Sequence, residues 1–228
     1  MRLETWLPMY DSICKEFGFD QSRDLESARC LAGMMPSTSV ESLRKIRQDF
    51  PGSVTICGGG ERLAEEISSS QLEKCVIAAD GATTSLVDAE ILPDIIVTDL
   101  DGIVEDQVQA NKDGATVFVH AHGDNILALK RYVHDFSTPL LGTCQCPPVP
   151  GLLNFGGFTD GDRAACICAQ FGARNIDLLG FDFSNPSGKV GKDRQVKLKK
   201  LTWARRIVNA LEKEGVRFTS NGQPLRPL

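Results

Sequence analysis

The chain has 228 residues, 42% of them apolar and 24% charged, the composition of a folded domain rather than of a disordered tract. Its net charge of −5 offers no basic excess to neutralise a phosphate backbone, so nucleic acid is not an expected partner. No apolar run reaches the length of a membrane span, and acids interrupt the N-terminus where a secretory signal needs an unbroken apolar stretch; a cytoplasmic protein without a membrane partner is expected.

The first fifty residues read as helical. Trp6, Tyr10, Ile13 and Phe17 recur at helical spacing, and "SVESLRKIRQDF" is a second amphipathic segment that ends at Pro51-Gly52. Residues 1–50 are therefore expected to be a small helical appendage without chemistry of its own, and residues 51–228 the catalytic domain. From residue 53 short apolar runs alternate with helix-like segments. The predicted strands are "SVTIC" (53–57), "CVIAA" (75–79), "DIIVT" (94–98), "TVFVH" (116–120), "PLLGT" (139–143), "NIDLLG" (175–180) and "VRFT" (216–219). Helices are predicted near 61–70, 83–90, 104–112, 125–135, 160–172 and 194–214. Unbroken Val/Ile/Leu strands alternating with helices describe an α/β fold, a Rossmann-like three-layer domain with a mainly parallel sheet.

Eight cysteines and an H-x-H pair invite a zinc reading. Cys144/Cys146 and Cys166/Cys168 are spaced C-x-C rather than C-x2-C, and the second pair falls in a predicted helix, where positions two apart diverge. Buried thiols acting as small hydrophobes are the simpler account.

In open α/β sheets ligands bind beyond the carboxyl ends of the strands, and the residues there form a consistent set. They are Gly58-Gly59-Gly60, Asp80-Gly81, Asp99-Leu100-Asp101-Gly102, His122-Gly123-Asp124-Asn125, the loop "NFGGFTDGDRA", and Asp182 after the strand that ends at Gly180. Aspartates 80, 99, 101, 124, 160, 162 and 182 would thus share one rim, whereas Asp94 lies at the amino end of its strand and is expected to be structural. So many carboxylates repel unless a cation neutralises them, and oxygen ligands suit a hard ion such as Mg2+. Asp99 and Asp101, two apart on an extended segment, are expected to point the same way. Asp124 and Asp160 also sit where helices begin, so helix capping accounts for them as well. The glycines before predicted helices, including Gly156-Gly157, could turn backbone N–H groups toward a phosphate, although a tight turn explains them nearly as well. The basic run "GKVGKDRQVKLKK", with Lys192 and Lys197, is either a solvated face or a segment that closes over a triphosphate.

Two resemblances follow from these motifs. "DLDG" resembles the opening motif of haloacid-dehalogenase-like phosphatases, but Ile103 follows it, two strand–helix units precede it, and no later Ser/Thr-then-Lys pair fits. The longer series "AADGA", "PDIIVTDLDG" and "HGDN" resembles the catalytic domain of thiamin pyrophosphokinases. With "CGGGERL", "NFGGFTDGDRAACIC" and "LLGFDFS" added, the chain over about residues 53–212 is similar to the archaeal 6-hydroxymethyl-7,8-dihydropterin pyrophosphokinases. It ends without room for the β-sandwich of the thiamin enzymes, which leaves thiamin as the alternative substrate. A nucleotide sensor without turnover and a glycosyltransferase using Asp-x-Asp are further alternatives.

The resemblance implies Mg2+ as cofactor, ATP as co-substrate and a reduced pterin as acceptor, in the biosynthesis of tetrahydromethanopterin- or folate-type pterins. It implies that Asp99, Asp101 and Asp124 hold the metal and that Asp80 completes the set or orients a metal-bound water. It implies that Gly58, Gly59, Gly60, Asp80, Gly81, Gly157, Thr159, Asp160, Asp162, Arg163, Asp182, Lys192 and Lys197 face the nucleotide or its phosphates. His122 is either the acceptor of the substrate's hydroxyl proton or the partner of a nearby carboxylate. Asn154, Phe155, Phe158 and Asp182 are the candidates for the pterin slot. Homo-oligomerisation is left open.

Overall fold

The structure, a computed structural model, describes residues 1–36, 39–185 and 194–225. The helices are α1 (Leu3–Phe17), α2 (Gln21–Ala32), α3 (Ser39–Gln48), α4 (Leu63–Ser69), α5 (Ala82–Asp88), α6 (Val104–Lys112), α7 (Ile126–Tyr132), α8 (Asp160–Phe171) and α9 (Arg194–Lys213). The strands are β1 (Ser53–Cys57), β2 (Val76–Ala79), β3 (Ile95–Thr98), β4 (Thr116–Ala121), β5 (Leu140–Cys144), β6 (Asn175–Leu179), β7 (Arg217–Ser220) and β8 (Gln223–Pro224). They form one sheet in the order β5-β4-β3-β2-β1-β6-β7-β8, parallel throughout except for the short β8. The Rossmann-like, mainly parallel α/β fold expected from the sequence is the one found.

β2, β3, β4 and β5 are buried at every residue, as a sheet covered on both faces requires. Helices α4, α5 and α6 lie side by side in chain order, and α8 crosses β1, β2 and β3. At the amino end of β3, Asp94 accepts the Val76 N–H through its side chain at 2.8 Å, the structural role its position suggested. Cys166 and Cys168 are buried on α8 and Cys144 and Cys146 around the end of β5.

The N-terminal helices, expected to be an appendage, pack into the core of the strands. Trp6, Tyr10, Ile13, Ala28 and Leu31 belong to the same hydrophobic core as the strands, with Trp6 fully buried and its indole N–H on the Gln145 carbonyl at 2.8 Å. Helix α2 packs against β4, β5 and α7. The periodicity of Trp6, Tyr10 and Ile13 marks a buried face, but nothing local says which surface it covers.

Candidate active site

The site begins with two tight turns at neighbouring strand ends. After β2 the chain turns through Asp80 at φ +44°, and the side chain folds inward to 7% exposure. Its Oδ1 accepts from the Thr98 hydroxyl at 2.7 Å and the Gln107 amide at 3.0 Å. Burial, and then the charge of Asp99, push the Asp80 carboxyl up to about 6. After β3 the Thr98 hydroxyl oxygen also accepts the Leu100 N–H at 2.8 Å, and Leu100 takes φ +68°. Asp99 and Asp101 therefore converge around a left-handed kink, not along the extended segment that was expected. Asp80, Asp99 and Asp101 each offer an oxygen within 4.8 Å of the others.

The next strand end holds this group in place. His122 Nε2 lies 3.2 Å from Asp99 Oδ2, and its Nδ1 faces the Asp124 N–H at 3.4 Å; the tautomer that satisfies both is Nε2–H, donating to Asp99. Asp99 Oδ1 is buried and has no hydrogen-bond partner among the described residues. Asn125 uses its whole side-chain amide nearby. Nδ2 donates to the carbonyls of Asp99 at 2.9 Å and His120 at 2.7 Å, and Oδ1 accepts from His122 N–H at 3.1 Å and the Ser27 hydroxyl at 3.2 Å. From α8, Asp160 faces the same carboxylates. Burial first, and then Asp99, hold its carboxyl well above the usual range, against an ion pair with Arg163 at 2.8 Å.

Residues 31–188 match the sequence profile of the family described as 6-hydroxymethylpterin diphosphokinase MptE-like. The chain belongs to that family. It is 42% identical to the 6-hydroxymethyl-7,8-dihydropterin pyrophosphokinase of Methanothermobacter thermautotrophicus, over 94% of this chain and 97% of that protein. It is 38% identical to the protein of the same name from Pyrococcus furiosus, over 94% of this chain and 96% of that one. Its fold is similar to that of the MAf glycosyltransferase from Magnetospirillum magneticum AMB-1, with TM-score 0.51 at 16% identity, over 78% of this chain and 33% of that one. Like its relatives by name, this MptE-like chain is a diphosphotransferase, and no helix among the described residues is long and apolar enough to cross a membrane.

The remaining motifs are distributed differently from the reading of the sequence. Asp124 falls outside the cluster of three carboxylates. Its side chain is 74% exposed and pairs with Arg23 at 3.7 Å. Gly58 and Gly60 do not turn their amides to a ligand: Gly58 N–H donates to Leu179 and Gly60 N–H to Gly180, at 2.8 and 2.9 Å. Side chains are excluded there by close approach, since a Cβ on Gly60 would stand 2.5 Å from the Gly180 carbonyl oxygen. Gly59 between them is exposed, and Gly81, beside Asp80, has open space around it.

On α8, Thr159 and Asp162 form a reciprocal helix cap. The Asp162 carboxylate accepts from Phe158 N–H, Thr159 N–H and the Thr159 hydroxyl. Gly157, at φ +99°, lies directly against the Arg163 backbone, where no side chain fits. Arg163 reaches the Gly157 and Phe158 carbonyls besides Asp160. Asp182 is exposed and closes its own turn through Ser184 and Asn185. Lys192 lies outside the described residues, and Lys197 is in the first turn of α9.

Of the residues considered for a pterin, Phe155 is buried in the core, edge-on to Phe118 and Phe171. Asn154 supports its own loop through the Cys146 carbonyl. Phe158 is half-buried beside Phe17 at the end of α1 and Phe19 in the turn that follows, with the Lys200 ammonium 5.5 Å from its ring centre. Sequence reasoning overlooked Thr98, Gln107, Asn125 and Asp24. Thr98 and Asn125 stand inside motifs that were noticed, "TDLDG" and "HGDN", but were not assigned a task.

Proposed function

We propose that this protein transfers pyrophosphate from ATP to 6-hydroxymethyl-7,8-dihydropterin, with Mg2+ held by Asp80, Asp99 and Asp101. The observation that carries the metal assignment is the convergence of three carboxylates within 4.8 Å, one of them with a buried oxygen that lacks a partner among the described residues. All of the donors are oxygens, the set that suits a hard divalent cation. The names of the relatives and the family profile support the substrate.

The substrate's hydroxymethyl oxygen forms a bond to the β-phosphorus of ATP. The bond from that phosphorus to the oxygen bridging to the α-phosphorus breaks, AMP leaves with the bridging oxygen, and the hydroxyl proton passes to solvent. Bound Mg2+ would neutralise phosphate charge, the main requirement of such a transfer. The chain's own part is positional. Thr98 and Gln107 fix Asp80, and His122 and Asn125 fix the side chain and carbonyl of Asp99. His122, already donating to Asp99, acts as its partner rather than as the base.

The test is incubation of the protein with Mg2+, ATP and the reduced pterin, with products separated by chromatography. AMP and a pterin diphosphate in equal amounts are expected. AMP formed with thiamin but not with the pterin would reverse the substrate, and phosphate release from simple phosphomonoesters without ATP would point to a phosphatase.

A further inference from the structure

Helix α2 reaches the rim of the acidic cluster from a part of the chain that begins ahead of the family match. Its Asp24 is 4% exposed and forms three hydrogen bonds. Oδ2 accepts from the Tyr10 hydroxyl at 2.9 Å and from the Gln145 amide at 2.8 Å, which fastens it to α1 and to the end of β5. Oδ1 accepts the Gly123 N–H at 2.6 Å. Gly123 follows His122, and a Cβ there would stand 2.9 Å from the Arg23 Cβ, so this loop lies flush on α2. One helical turn after Asp24, the Ser27 hydroxyl bonds Asn125, whose amide holds both His122 N–H and the Asp99 carbonyl. The loop that carries His122 is thus gripped at Gly123 and at Asn125 by one helix.

We propose that Asp24 is a positioning residue of this enzyme. Through Gly123, and with Ser27 acting through Asn125, it sets the His122 ring against Asp99 Oδ2 and so aims Asp99 Oδ1, which has no partner among the described residues, at the metal position. The proposal rests on the reading of Asp80, Asp99 and Asp101 as metal ligands and is independent of the acceptor substrate. As arranged, all three groups around Asp24 donate to it, two of them to Oδ2. The amide of an Asp24→Asn variant would turn its NH2 toward one of them.

The test is a titration of the full-length, metal-free protein with Mn2+, followed by electron paramagnetic resonance. Thermal melting is measured alongside it, and AMP formation is measured separately. Asp24→Asn is expected to weaken Mn2+ binding at least about fivefold. Trp203→Phe is the control: it removes the indole donor to Glu16 of α1 at 2.8 Å, and is expected to lower the melting temperature with Mn2+ affinity unchanged. Wild-type Mn2+ affinity in Asp24→Asn, or equal weakening in both variants, would overturn the proposal. If Asp24→Asn does not fold, Ser27→Ala is read in the same way, with about twofold to threefold weaker binding expected and unchanged binding contrary. Failure of the wild type to form AMP while these Mn2+ differences persist would count against the substrate and not against Asp24.

Discussion

A Cβ built on Gly102 would stand 2.8 Å from Oδ2 of Asp80. The glycine that ends "TDLDG" is therefore the space in which a carboxylate from the neighbouring strand reaches Asp99 and Asp101. Gly102→Ala should push the Asp80 carboxylate aside and lower turnover more than about tenfold, since misplacement of a group at the site is costly. Gly102 is half-exposed on a turn, so the melting temperature should change little. Full activity in this variant would show that Asp80 is not needed where the structure places it.

Asp101 and Asp124 are both exposed, but only Asp101 belongs to the cluster of three. Asp101→Asn should reduce AMP formation at least about a hundredfold, roughly 2.7 kcal/mol of transition-state stabilisation. Asp124→Asn, which disturbs an ion pair with an exposed Arg23, should stay within about threefold of wild type. Initial rates at saturating ATP, with unfolding midpoints for both proteins, decide the matter. Equal losses would return Asp124 to the metal.

Stability without metal should depend on pH through Asp80. Its carboxyl is raised from 3.8 to about 6, so the folded protein binds that proton more tightly than the unfolded chain. Stability is then greatest below the unfolded value and falls as pH rises through about 6. The drop from this one group is at most ~3 kcal/mol. Asp80→Asn keeps an oxygen for Thr98 and Gln107, both of which bond Oδ1, and loses the charge. Urea unfolding with chelator at pH 5 and pH 7.5 should show a smaller drop in the variant than in wild type, and an equal drop would remove Asp80 as its source.

Trp6→Ala tests whether residues 1–50 belong to the domain. Truncating a fully buried indole that also donates to Gln145 should cost about 3–5 kcal/mol. Urea denaturation followed by circular dichroism should give one cooperative transition at lower denaturant. Two transitions, with the major one unmoved, would describe a detachable appendage.

The strands, their carboxyl-terminal acids and the parallel α/β class were determined by the sequence itself, because they rest on local patterns. Runs such as "IIVT" are long enough only for a buried strand, and Gly58, Asp80, Asp99 and Gly180 mark where β1, β2, β3 and β6 stop. The ends of β2 and β3 were therefore predictable as the place where Asp80, Asp99 and Asp101 lie.

What those residues do next was decided by contacts far apart in the chain. Asp99 and Asp101 converge because Leu100 turns left-handed on the Thr98 hydroxyl, and Asp124 turns outward to a helix 101 residues upstream, where Arg23 stands. Gly58 and Gly60 are glycines because Gly180 and Phe181, leaving β6, pass too close for a side chain, a neighbour that no spacing within "CGGGERL" reveals. Asp24 looks like any acid on an amphipathic helix until α2 docks against β4, β5 and α7, where Gly123 and Gln145 donate to its buried carboxylate. Apolar periodicity reports that a face is buried. Only the folded chain determines what it is buried against, and the partners of the buried polar groups follow from that.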